Sequence, residues 1–208
     1  MIKTPINSIL FCWMSACLLI GFVETAHCAD KTLDESNFRI LGLFIGNCAP
    51  QDIYSKLGPG ITIKDEARPD VTQVCYVSDK DETLILFAFE YFQCSGFRLL
   101  SQKKKFYKWH FCEKSPLVSG HLATESGINL GMRRSRMKAI LGAPQGESDE
   151  NLTYVYEWKQ KGNPSETKRD SPDSRDAKIA PDRTVKATIR AEFSDAKLIS
   201  FDLSKSMQ

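Results

Sequence analysis

The stretch GMRRSRMKAILGAP, running from Gly131 to Pro144, carries both the start and the stop of one short helix. Met137, Ile140 and Leu141 recur at the i, i+3, i+4 spacing of a single buried stripe, while Arg133, Arg134, Arg136 and Lys138 face elsewhere. Gly142 suits the positive-φ end of a helix, and Pro144 forbids continuation. So short a helix does not persist alone in water, so its stripe is expected to lie against a sheet.

A second version, IGNCAPQDIYSKLGPG, lies upstream at Ile45 to Gly60. It repeats the leading glycine (Gly46), the apolar anchor (Ile53) and the Leu57-Gly58-Pro59 stop. Asn47 is placed to cap the first turn, and Pro50 is tolerated there because its missing N–H loses nothing. Strand-like segments follow both copies, which points to two similar halves.

After the first helix, TQVCYVSD and TLILFAFE flank the turn Asp79 to Glu82. FRLLS and FYKWHFC then flank a basic turn, Gln102 to Lys105. That order predicts an antiparallel meander of four strands. In the second half LTYVYEW forms one strand, and TVKATIRAEF with KLISFDLS makes a hairpin across Ser194-Asp195-Ala196. Residues 159–183 are rich in Gly, Pro, Ser, Lys, Asp and Arg and read as a mobile polar insert.

The first 28 residues stand apart. Lys3, the apolar run Ile9 to Val23 and the small residues around Ala26 have the layout of a secretory signal peptide, with a core too short to favour a membrane span. An uncleaved anchor and lipidation at Cys28 are the alternatives. The domains expected are therefore a signal peptide (1–28), a first helix-plus-sheet repeat (29–118) and a second (119–208), giving an α+β fold. No second long apolar run occurs, so the exported part is expected to be soluble or lipid-tethered.

The chain carries 28 Lys and Arg against 26 Asp and Glu. Removing Lys3 and Glu24 with the signal leaves 27 and 25, still +2. That near-neutral balance argues against a nucleic-acid partner. Of seven cysteines, Cys12, Cys17 and Cys28 go with the signal. Cys48, Cys75, Cys94 and Cys112 remain, an even set in an exported chain, and read as two disulfides. Of the three pairings allowed, Cys94–Cys112 is expected across the Lys103 turn, leaving Cys48–Cys75. The chain has no CxxC spacing, and only His110 and His121 could add imidazole ligands, so neither a zinc site nor any other metal or cofactor is expected.

Chemistry has little to build on. GxSxG, HExxH and Walker-type loops are absent, and the acidic clusters fall in turns. Strand alternation puts Lys108, His110 and Cys112 on one face and Tyr107, Trp109 and Phe111 on the other, next to a strand lined by Phe87, Phe89 and Tyr91. One aromatic face is core under the helix. Tyr107, Trp109 and Phe111 are the candidate partner-binding residues if theirs is open, because Tyr and Trp anchor interfaces. Lys103 to Lys105 add attraction for acidic partners or lipid headgroups.

Gly131-Met132, Met137, Leu141-Gly142-x-Pro144 and the strand with Tyr154, Tyr156 and Trp158 resemble the SmpA/OmlA, or BamE-like, family. These are small envelope proteins of Gram-negative bacteria with two helices on a three-stranded antiparallel sheet. Two residues after the glycine, where that family has Ser or Thr, this chain has Arg133. The tandem arrangement is also similar to the beta-lactamase-inhibitor-protein fold, in which two repeats form one sheet surface that grips a partner enzyme. The resemblance implies a non-enzymatic periplasmic module, either a scaffold in outer-membrane assembly or an inhibitor-like binder. Its partners would be envelope proteins, with peripheral contact to the outer membrane. A hydrolase with an unrecognised site is the alternative.

Overall fold

The computed structural model describes residues 34–64, 68–80, 82–104, 109–160 and 182–207. The N-terminal stretch expected to be a signal peptide, with Cys12, Cys17 and Cys28, the residues Lys105 to Lys108, and most of the expected polar insert lie outside them. The described residues all belong to one compact unit, Lys31–Gln208.

A 3₁₀ turn at Glu35–Phe38 leads into a small ribbon, β1 (Arg39–Ile40) and β2 (Leu43–Phe44). Helix α1 spans Pro50–Leu57, followed by β3 (Ile61–Lys64), β4 (Thr72–Val77), β5 (Thr83–Glu90) and β6 (Gln93–Ser101). A second 3₁₀ turn, Trp109–Phe111, precedes β7 (Glu113–Lys114). Helix α2 spans Arg134–Leu141, followed by β8 (Gly146–Glu147), β9 (Asn151–Gln160), β10 (Arg183–Ser194) and β11 (Lys197–Met207). The fold is α+β, with two helices and a mostly antiparallel sheet.

Both helices stop where a backbone with positive φ is needed. The N–H of Gly58 (φ 89°) closes α1 onto the Tyr54 carbonyl, and that of Gly142 (φ 86°) closes α2 onto the Lys138 carbonyl. The glycines that lead in have positive φ too, 93° at Gly46 and 80° at Gly131. They also dock alike. Gly46 N–H donates to the Cys94 carbonyl at the start of β6, and Gly131 N–H to the Leu198 carbonyl at the start of β11. The glycine thus turns the chain off a strand and into the helix.

Asn47 does not cap α1. The N-cap is Ala49, and Asp52 reaches back to accept its N–H at 2.8 Å. One more residue of extended chain after Asn47 carries it out of reach of the first turn. Arg133 holds the N-cap of α2 without a side-chain bond.

The large sheet runs β3-β4-β5-β6-β11-β10-β9-β8, with β7 added parallel to β4. Its centre is the antiparallel pair β6–β11, where Arg98 faces Asp202 and Phe97 faces Leu203. Ile53, Leu57, Met137 and Leu141 bury the helices on one sheet face, against Tyr76, Phe87, Phe97, Leu99, Tyr154, Ile189 and Phe201. Phe87 and Phe89 are therefore core, the bland outcome for that strand. On the other face a smaller cluster, Ile63, Cys75, Val77, Leu84, Leu86, Leu100 and Cys112, covers only the first half of the sheet.

Three further expectations are corrected. In the described end of FYKWHFC, Trp109–Phe111 is a 3₁₀ turn rather than part of the fourth meander strand expected, and β6 already has β11 on its outer edge. With no edge left for it there, the chain returns to β4. Cys112 consequently bonds to Cys75 rather than Cys94 (Cα–Cα 5.2 Å), and Cys48 is not paired with Cys75. The stretch 159–183 also begins and ends as strand, at Lys159–Gln160 of β9 and Arg183 of β10.

Candidate functional site

Of the three aromatics singled out for binding, Trp109 and Phe111 are sent apart by that 3₁₀ turn. Trp109 folds half-buried onto the smaller cluster beside the Cys75–Cys112 bridge. Phe111 projects into solvent at 62% exposure, its ring 4.0 Å from that of His110. Tyr107 lies outside the described residues. Lys103 and Lys104 are spent within the protein: Lys103 pairs with Asp195 at 3.3 Å, and Lys104 with Glu192. The basic turn thereby ties β6 to the β10–β11 hairpin. His121 is exposed, and among the described residues no group of three His, Cys, Asp or Glu side chains is placed to hold a metal ion.

The sequence reading passed over a sharper feature. The β5–β6 hairpin turns at Tyr91-Phe92, and both residues have positive φ, 48° and 65°. Two-residue hairpins of this hand normally use Asn-Gly or Asp-Gly, because a side chain with a Cβ is disfavoured there by about 1–2 kcal/mol per residue. The companion hairpin, β10–β11, does so more cheaply with Asp195-Ala196. Tyr91 and Phe92 are nevertheless 90% and 85% exposed, so no packing in the described chain offsets the strain. Bulky side chains held at positive φ with little burial in return make this turn the candidate site among the described residues.

The tip stands at a defined place. Antiparallel pairing puts it at the sheet end where β11 finishes, with Met207 half exposed, where β9 runs out at Gln160 and where β10 begins at Arg183. From there the uncovered sheet face leads inward. A shallow groove across β6 and β11 is lined by Glu90, Gly96, Arg98, Lys186, Thr188 and Asp202. At its middle the Arg98 Nε donates to Asp202 Oδ2 at 2.8 Å. Farther out, Arg190, Glu157 and Val155 continue the same bare face, as expected where an antiparallel sheet keeps one side solvated.

Behind this face the second half is braced by charge. Lys138 and Arg134 on α2 both reach Glu147 on β8, and they hold its carboxyl below the usual carboxylate range. The Lys205 ammonium lies 5.8 Å from the Phe44 ring centre and 5.7 Å from that of Trp158, and burial lowers its pKa.

No protein-family model matches the chain, and none of the curated proteins matches it. Among solved structures, the chain is similar at 13% identity to a candidate beta-lactamase inhibitor protein from Streptococcus mutans. The alignment covers 82% of this chain and 90% of that one with a TM-score of 0.23.

Proposed function

We propose that this chain is a non-enzymatic interaction module of the cell envelope, and that Tyr91 and Phe92 anchor its partner. The single observation behind this is the strained, solvent-bathed aromatic tip. Aromatic side chains give large contact area with few rotors to freeze, and they dominate the binding energy of protein interfaces. The polar groove around Arg98 and Asp202 supplies the rim on which the same partner rests.

The architecture in this reading is a tandem of helix-plus-sheet units, 29–118 and 119–208. It is supported by the strand order, which mirrors about β6–β11: a glycine, an eight-residue helix, a short strand and three long strands on each side. The location is the periplasm, reached through the N-terminal signal. The Cys75–Cys112 bridge supports an oxidising compartment. Assembly scaffold and inhibitor-like binder are the two forms the module takes, and a fatty-acid label on Cys28 marks the former.

The test is in-cell photo-crosslinking from position 93, the exposed residue beside the tip, in the native envelope, with the captured proteins identified. One protein should dominate, and Tyr91→Ser with Phe92→Ser should reduce its capture at least tenfold while thermal unfolding stays at or above that of the parent. Undiminished capture by the double variant sinks the reading.

A further inference from the structure

We propose that Cys48 and Cys94 form an exchangeable dithiol, which a disulfide-bearing oxidant converts into a second bridge, Cys48–Cys94. This is neither of the pairings expected from the sequence, and it does not depend on the binding role of the aromatic tip.

Geometry carries it. Cys48 sits between Gly46 and α1, and Cys94 is the second residue of β6. The two segments are clamped by paired backbone bonds: Cys94 N–H donates to the Cys48 carbonyl at 2.9 Å, and Gly46 N–H to the Cys94 carbonyl at 2.8 Å. Both side chains belong to the same buried cluster, where each thiol perturbs the ionisation of the other and the Cys94 thiol donates to the Gly96 carbonyl at 3.5 Å. Cys75 and Cys112 are already joined, so among the described residues these two thiols have only each other as bridging partner.

The pair is asymmetric in the way thiol exchange needs. Cys48 lines a surface cleft with Arg39, Phe44, Asn47, Asp52 and Lys56, whereas Cys94 is sealed inside the core. The neighbouring Cys94 thiol holds the pKa of Cys48 down, while Cys48 and burial together push the Cys94 thiol well up. Cys48, 5% exposed against 0% for Cys94, is the less buried thiol and also the better nucleophile, and Cys94 resolves.

The reaction balances as an ordinary exchange. Cys48 loses its proton and attacks one sulfur of the oxidant's disulfide, whose S–S bond breaks as the second sulfur departs and takes up that proton. Cys94 then loses its proton and attacks the Cys48 sulfur. The mixed disulfide breaks, the Cys48–Cys94 bond forms, and the oxidant leaves as two thiols. Two thiols here are oxidised and one disulfide is reduced.

The probe is oxidised glutathione applied to the folded full-length chain, followed by alkylation, digestion without reduction and mass spectrometry. A peptide pair joining Cys48 to Cys94 should become the major form of both. Cys94→Ser, or Cys94→Ala where serine disturbs the apolar site, should trap glutathione on Cys48. Cys48→Ser should leave Cys94 without an adduct. The Cys75–Cys112 peptide pair, present throughout, certifies the native fold in each sample. Recovery of both Cys48 and Cys94 as alkylated thiols beside an intact Cys75–Cys112 pair overturns the proposal, as does glutathione on Cys94 in place of Cys48.

Discussion

Gly96 on β6 lies so close to Leu203 on β11 that a Cβ built on it would stand 2.3 Å from the Leu203 carbonyl oxygen. This contact is at the one strand pair that joins the two halves of the large sheet. The obstacle is backbone, which cannot swing aside, so Gly96→Ala must push β6 and β11 apart. The expected loss is about 1–3 kcal/mol, as for overpacked cores, read as a lower urea midpoint with little change in slope. An unchanged midpoint would mean the junction is looser than described.

The Cys75–Cys112 bridge closes a loop of separation 37 and fixes the returning segment to the edge of β4. Constraint of the unfolded chain makes such a bridge worth about 2–4 kcal/mol. Cys112→Ser should lower stability by that amount and expose Trp109, whose packing rests on the same cluster. A red shift of tryptophan emission below the global unfolding transition is the signature. Loss of stability without that shift would place Trp109 elsewhere.

These two predictions also show where the sequence could be read and where it could not. Local signals sufficed for both helices: Pro50, the i, i+3, i+4 stripe and the Leu-Gly stops bound them to within a residue or two. Long apolar runs sufficed for β4, β5, β9 and the final hairpin. The segment at Trp109 failed because Tyr107, Trp109 and Phe111 alternate like a strand, and alternation says nothing about whether an edge is free. The edge of β6 is taken by β11, a partner about a hundred residues away with no local trace. The cysteine pairing fell with it, since it assumed a hairpin there. The Tyr91-Phe92 turn was missed because it carries no turn residue: Tyr91 continues the alternation of Phe87 and Phe89, so it reads as strand.

Burial pushes the hydroxyls of Tyr76, Tyr154 and Tyr156 up to about 12. An unfolded tyrosine ionises near 10, so the folded state disfavours the phenolate. The stability these groups lend is therefore complete below about pH 10 and is lost as pH climbs toward 12. Ultraviolet titration should show a late group of tyrosines that ionise together with unfolding. Tyr154 adds a second reading, because its hydroxyl is buried without a hydrogen-bond partner among the described residues. Tyr154→Phe should leave stability unchanged or raise it by up to about 1 kcal/mol. A clear destabilisation would reveal a partner for that hydroxyl.

The strain at Tyr91-Phe92 separates stability from binding in a single experiment. Tyr91→Asn with Phe92→Gly installs the pair that positive-φ hairpins prefer, and it removes two aromatics that are almost wholly exposed. Glycine gives back part of the gain through the freedom it adds to the unfolded chain, so the net expectation is a gain of about 1 kcal/mol, or about 2–4 °C in Tm. Capture of the envelope partner should fall at least tenfold in the same variant. A protein optimised only to fold would not keep the worse turn, so higher stability together with lost capture identifies the tip as held for contact. Lower stability in the variant would instead show that the aromatics pack against the protein, and the strain would then need no functional explanation.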